Sequence, residues 1–370
     1  MDTKTEANML EQYVGTKEKA VSWRNENLQY SGRMDFEYAG GPLWVYPCSF
    51  VKVRFTGKSL KAVVTNYRGY WNSELGWILD GKEYRGGLAD EGVTVLSLAE
   101  GLGEGEHELC LFKRMDACHM IVFHGFAASE DVELLPPAPL PVRCMEVFGD
   151  SVSAGEVSEA VEYCGQPDPE HNGEYSNSYY SYAWLTARRL NAQLHDVAQG
   201  GVALLNGTGY FNDPDARGME WMYDKIQYQP WFGEAKEWDF AGYMPQLVVI
   251  AIGQNDHHPE DYMKEDYDGE KARHWRDAYG RFVRTLRSRY PLAHIVCKTT
   301  ILEHDESWDR AIEETVKRLD DDQVHYFRYS NNGVGTKGHI RRPEAERMAE
   351  ELSAFIEELN SRYHFWADQP

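Results

Sequence analysis

Between about residues 29 and 135 the apolar positions recur with the two-residue period of a strand. Val51, Val53 and Phe55 alternate with Lys52 and Arg54, which places an apolar and a polar face back to back. Trp77-Ile78-Leu79 runs into Asp80-Gly81, and because both turn residues tolerate positive φ, the pair predicts a hairpin. Residues 93–98, 108–112 and 120–126 read as further short strands separated by glycine-rich turns. With no convincing helical period in this stretch, a β-sandwich is expected over residues 1–135, its first twenty residues forming a short helix or a loose arm.

Pro136, Pro137, Pro139 and Pro141 then interrupt the pattern. Such a segment is stiff and extended, and a linker is expected over residues 136–141. Beyond it, in residues 142–370, strands and helices alternate. Strands are predicted at 145–148, 194–197, 247–252, 294–300 and 324–327, and helices at 178–191, 271–288, 308–319 and 343–363. The continuous apolar run at 247–252 suits a parallel strand buried on both faces. This rhythm predicts a doubly wound α/β sheet, whose ligands lie beyond the carboxyl ends of its strands.

Composition narrows the partners. A formal net charge of -22 offers no basic stripe for nucleic acid and no attraction to an anionic membrane, so neither is expected. The six cysteines are scattered without a C-x-x-C pair, against a disulfide framework or a structural zinc site. The polar start Met1-Asp-Thr-Lys-Thr-Glu has no apolar stretch of leader length, which predicts a cytoplasmic protein. A monomer or weak homo-oligomer is expected.

Four short blocks follow predicted strands. Phe148-Gly-Asp-Ser151 presents a serine at a sharp turn. Gln199-Gly200-Gly201 leaves backbone N–H groups open to an oxyanion. Ile252-Gly-Gln-Asn255-Asp256 aims a side-chain amide into the cleft, with Asp256 read as structural. Gly335-Thr-Lys-Gly-His339 brings a histidine after the last strand, where a general base is needed. Singly each block is as consistent with an ordinary turn; together, their order and placement are distinctive.

Ser, Gly, Asn and His in this order resemble the signature blocks of the SGNH (GDSL-type) hydrolases, over about residues 142–365. A sandwich in front narrows the resemblance to carbohydrate esterase family 2, whose members pair a jelly roll with an SGNH domain. The resemblance implies a flavodoxin-like three-layer catalytic domain without a cofactor, and a serine esterase that removes acetyl groups from plant polysaccharides or oligosaccharides of mannan or xylan type. It makes Ser151 the nucleophile and His339 the base, with an oxyanion hole of Ser151 N–H, Gly200 N–H (or Gly201) and the Asn255 amide. One position departs from the superfamily, which usually has Asp three residues before the histidine; here it is Thr336. The resembled family works with a Ser-His dyad whose imidazole is held by a backbone carbonyl, so a dyad is implied, with an acid limb near the ordinary histidine range. Other SGNH activities (lipase, thioesterase, arylesterase) and an inert carbohydrate-binding protein are the alternatives.

Two connections, 156–178 and 206–245, are long enough to wall a cleft. The second is rich in aromatics, and Trp221 and Trp231 are candidate sugar contacts, as are Tyr70 and Trp71 of the sandwich. His171, His257 and His258 lack a second ligand cluster at useful spacing, so no metal is expected.

Overall fold

The computed structural model describes residues 9–366, and it divides into two units. One holds the residues up to Leu140 together with Asn172–Glu174; the other holds Pro141–His171 and the residues from Tyr175 onward.

The first unit is built from two antiparallel sheets. One runs β3 (Met34–Asp35), β4 (Leu43–Trp44), β11 (Met120–Ser129), β6 (Leu60–Tyr67) and β9 (Val93–Ala99), with β1 (Glu18–Ser22) also paired to β11. The other runs β12 (Glu133–Leu135), β5 (Phe50–Thr56), β10 (Glu106–Lys113), β7 (Glu74–Leu79) and β8 (Lys82–Gly87), with β2 (Gln29–Ser31) on β5. Val51, Val53 and Phe55 point into the core beside Trp44, Leu109, Leu111 and Phe123, while Lys52 and Arg54 remain half-buried. The β7–β8 turn has Asp80 at φ 50° and Gly81 at φ 79°, the two positive angles that this tight hairpin requires. Of the segment 1–20, expected as a short helix or loose arm, residues 1–8 lie outside the described residues. Residues 9–11 are helical, in keeping with that expectation; its last part departs from it, since Glu18, Lys19 and Ala20 open β1, because β11 offers an edge along which Glu18↔Ser129 through Ser22↔Gly125 can pair.

The second unit is organised by a five-stranded parallel sheet. Its order is β14 (Ala192–Ala198), β13 (Arg143–Gly149), β17 (Leu247–Ala251), β18 (His294–Cys297) and β19 (Val324–Tyr326). This 2-1-3-4-5 order is that of flavodoxin-like folds, and the chain reverses direction across the sheet at β13. β17 is buried along its whole length, as a strand covered on both faces must be. A one-turn helix α1 (Ser151–Ala154) follows β13, and α2 (Tyr182–Arg189) packs on α7 (Arg342–Tyr363). A connection carrying α3 (Met219–Met222) and the hairpin β15 (Lys225–Gln227) and β16 (Lys236–Glu237) leads into β17, and α4 (Tyr262–Glu265) follows it. The long helices α5 (Glu270–Arg289) and α6 (Glu306–Leu319) pack on each other.

Two predicted elements are shorter than expected. The helix predicted from 178 begins at Tyr182, because Ser181 caps it by accepting the Trp184 N–H (3.1 Å) and Ser178–Tyr180 forms a separate 3-10 turn. The strand predicted to 300 stops at Cys297, since Thr300 turns aside to bond the Gln254 side chain.

Candidate active site

Ser151, Gly200, Asn255 and His339 follow β13, β14, β17 and β19 respectively, so all four come from the carboxyl ends of the sheet. Ser151 is the first residue of α1, and Asp150 caps that helix by accepting the Val152 N–H (3.0 Å). A Cβ on Gly149 would lie 2.0 Å from the Ser153 Oγ, so only glycine lets the chain fold back this tightly. The other Asp150 oxygen accepts from Gln254 Nε2 (2.6 Å), which joins the serine turn to the asparagine turn. Burial raises the Asp150 pKa, against the pull of these hydrogen bonds.

The serine hydroxyl is the start of a continuous hydrogen-bonded chain. Ser151 Oγ lies 2.8 Å from His339 Nε2, and His339 Nδ1 lies 2.6 Å from Asp168 Oδ2. A carboxylate accepts only, so Nδ1 carries the proton and Nε2 is left to accept from the serine. The same Asp168 Oδ2 is 3.0 Å from His171 Nε2, and His171 Nδ1 is 3.0 Å from Glu156 Oε1.

Helix α7 holds Asp168 in place. Arg341, fully buried, donates to Asp168 Oδ1 (2.8 Å), to the Pro167 carbonyl (3.3 Å) and to the His339 carbonyl. The His339 N–H also donates to Asp168 Oδ1 (2.8 Å). Glu344, in the first turn of α7, accepts from the Arg341 N–H and from the Gly165 N–H, which staples the 165–168 loop to the helix. Gly338 permits the approach: a Cβ there would lie 2.4 Å from Asp168 Oδ1.

These contacts set the protonation states. Burial opposes ionisation of Asp168, but hydrogen bonds from His171 and His339 hold its carboxyl well below the usual range. Its bonds to Asp168 and Glu156 push the His171 pKa up to about 9, so this ring is a cation held between two carboxylates. For His339, burial favours the neutral ring, yet the Glu156 charge and the Asp168 bond prevail and the pKa rises above the ordinary value. An acid limb of activity above the ordinary histidine range is expected from this rise.

Asp168 was not foreseen in the sequence. The implied backbone carbonyl on His339 is replaced by a carboxylate from the 156–178 loop, 171 residues away in the chain. Thr336 does not take the role: its buried hydroxyl has no hydrogen-bond partner among the described residues, and its backbone pairs with Ile301 and Glu303. The only sequence signal for Asp168 was the length of its loop and the run Asp168-Pro-Glu-His171. Sequence spacing offered His171 no ligand cluster, but in space Glu156, His171 and His339 bring donor atoms within 4.8 Å of one another.

Around the serine, Gly200 is buried and Gly201 has φ 72°. Being first in a helix, the Ser151 N–H has no acceptor within it. The Asn255 amide donates to the Val202 carbonyl (3.1 Å) and, at a long 3.3 Å, to Asp150 Oδ2, which already accepts the shorter Gln254 bond. Asp256 is a tie between elements: it accepts from the Leu204 N–H and Trp275 Nε1 (2.7 Å), and burial raises its pKa to about 7.

The aromatics at the Gly200–Gly201 turn are Tyr210 and Phe211. Tyr210 N–H bonds the Gly201 carbonyl (3.1 Å), and a Cβ on Gly201 would meet the Phe211 ring at 2.8 Å. Both rings are exposed. Of the nominated tryptophans, Trp231 is 50% exposed, whereas Trp221 is half-buried between the Arg217 and Lys225 cations. Tyr70 and Trp71 belong to the sandwich unit, on the loop after β6, where their rings meet edge to face at 4.7 Å and Tyr70 also packs on His119.

The sandwich matches the family model "Carbohydrate esterase 2 N-terminal" over residues 30–139. The chain is also similar across both units to the acetylxylan esterase / glucomannan deacetylase of Cellvibrio japonicus, 28% identical over 344 residues, covering 92% of this chain and 90% of that protein. The chain thus resembles carbohydrate esterase family 2 across both of its units. A second relative is the cellulase/esterase CelE of Acetivibrio thermocellus, 29% identical over 90% of this chain, although the match spans only 39% of CelE's own length. Among solved structures, a family two carbohydrate esterase from Cellvibrio japonicus superposes with a TM-score of 0.79 at 25% identity, covering 93% of this chain and 98% of that one. The two-sheet antiparallel unit and the flavodoxin-like parallel-sheet unit of this chain are both covered by that superposition.

Proposed function

We propose that the chain is a carbohydrate O-acetylesterase acting through Ser151, His339 and Asp168, with acetylated mannan- or xylan-type oligosaccharides or polysaccharides as substrate. The observation that carries this reading is the unbroken chain of hydrogen bonds from Ser151 Oγ through His339 to Asp168. His339 Nε2 takes the serine proton as Oγ attacks the acetyl carbonyl, and Asp168 stabilises the imidazolium that forms. The developing oxyanion draws the Ser151 and Gly200 N–H groups and the weakly held second N–H of Asn255. The imidazolium then protonates the departing sugar hydroxyl, and neutral His339 activates water to release acetate.

Two features favour a sugar leaving group. One relative spanning both units is named acetylxylan esterase / glucomannan deacetylase. Exposed Tyr210 and Phe211 beside Gly201 offer flat apolar faces of the kind that stack on pyranose rings. The test is acetate release from a panel of acetylated mannan and xylan oligosaccharides by the parent and by Ser151→Ala. Release by the parent alone is expected. No release from any of the panel, with a folded parent, would overturn the assignment.

A further inference from the structure

Asp168 does more than orient one imidazole. Both His339 and His171 direct one ring nitrogen at the same oxygen, Asp168 Oδ2, at 2.6 and 3.0 Å. This turns the opposite nitrogens, His339 Nε2 and His171 Nδ1, towards Glu156. His171 Nδ1 lies 3.0 Å from Glu156 Oε1 and His339 Nε2 lies 3.9 Å from Glu156 Oε2, and all three donors fall within 4.8 Å of one another. Metal-binding histidines characteristically hold their non-ligating N–H on a carboxylate, which fixes ring orientation and strengthens the donor. Here a single carboxylate does so for two rings, and a second carboxylate stands between their free edges.

We propose that Glu156, His171 and His339 form a binding site for a zinc-like divalent cation, and that its occupation reversibly silences Ser151. Two nitrogens and one carboxylate oxygen with an open fourth position make a donor set that zinc accepts, and nitrogen donors disfavour calcium and magnesium. Tetrahedral bonds of about 2.1 Å place donors roughly 3.4 Å apart, and the three donors here already lie within 4.8 Å of one another, so a modest inward shift of the side chains closes the set. The fourth position falls to water or to Ser151 Oγ, which is 2.8 Å from His339 Nε2. On binding, the proton that His171 donates to Glu156 leaves to solvent, and the lone pair of His339 Nε2 is committed to the cation. That lone pair is the one that receives the serine proton, so the occupied site holds no base. The inhibition rests on the esterase reading above; the binding does not.

Two measurements on the full chain, first stripped with EDTA, separate the ideas. Zinc chloride is titrated calorimetrically into the parent, His171→Gln and Glu156→Gln, and cobalt chloride serves as a spectroscopic substitute with visible bands for tetrahedral coordination. The parent is expected to bind one equivalent that each variant weakens by at least about tenfold, the loss seen when even an outer partner of a ligand is removed. The cobalt bands should vanish with it. Hydrolysis of a chromogenic acetate should fall in the parent over the same zinc range and return on adding EDTA. Unchanged zinc affinity in Glu156→Gln, which keeps the side-chain shape, would overturn the site, as would bound zinc that leaves the parent's hydrolysis untouched. A parent that cleaves no acetate ester, yet loses zinc on either substitution, would leave the site standing and remove the esterase reading.

Discussion

In the proposed mechanism Ser151 and His339 act as one unit, so losing either disables it. Ser151→Ala or His339→Ala is expected to lower kcat by about 10³-fold or more with the melting temperature preserved. Asn255→Ala should cost about 10²–10³ in kcat, the effect of a lost oxyanion donor, with KM little changed. Asp168 and Thr336 divide cleanly. Asp168→Asn leaves the shape but removes the charge on His339 Nδ1, and a fall of up to about 10⁴-fold is expected. Thr336→Ala should change kcat by less than about tenfold, because only a hydroxyl without a partner among the described residues is lost. A collapse in the Thr336 variant alongside a mild Asp168 effect would reverse the assignment of the orienting group. The raised His339 pKa adds a pH signature. His339 must be neutral to accept the serine proton, so kcat/KM should decline on acidification at a pH above the ordinary histidine value of about 6.5. Glu156 is a cause of that rise, so Glu156→Gln should carry the acid limb to lower pH. The profile is measured with a chelator present, so that protons alone compete for Nε2.

At the scale of elements, the strand ends that carry Ser151, Gly200, Asn255 and His339 were legible because periodicity and glycine placement are local properties. Val51, Val53 and Phe55 announce their buried face directly, and so does the apolar run that becomes β17. Strand β1 was not legible. Glu18 and Lys19 have no strand signature of their own, and only the long edge of β11 recruits them. Asp168 escaped for a related reason. It sits in no regular element, and its position depends on Arg341 and Glu344 at the start of α7, a pairing that spans most of the catalytic unit. A capping box can be expected from sequence; that its Glu344 also grips the Gly165 N–H cannot. The loop and α7 therefore form one device, and Gly338→Ala tests it. A methyl group 2.4 Å from Asp168 Oδ1 must push the carboxylate off His339. A displacement near an ångström is expected to lower kcat by up to about 10²-fold. Parent-like kcat in a folded Gly338→Ala protein would show that Asp168 tolerates the shift.

At the scale of the molecule, the loop that carries Glu156, Asp168 and His171 does not stay within the catalytic unit. Its next three residues, Asn172–Glu174, belong to the sandwich. There a Cβ on Gly173 would lie 2.6 Å from the Asn72 carbonyl, and Arg85 Nη1 donates to the Glu174 carbonyl at 2.9 Å. A chain beginning at Pro141 would present Asn172–Glu174 to water with these partners gone, next to His171. Such a chain is expected to melt earlier and to lose turnover even on a small chromogenic acetate, which needs no sugar contact. Turnover equal to the parent's would show that the sandwich lends the loop no support. The same three residues bear on how such a protein can be inherited in parts. Its backbone passes from one unit to the other at Leu140, at His171 and again at Glu174, so a single crossover in the proline seam exchanges the sandwich but leaves behind a tripeptide shaped for the departed one. Grafting a new sandwich onto this hydrolase thus requires matching at two separated places in the chain, the proline seam and the Asn172–Glu174 tripeptide.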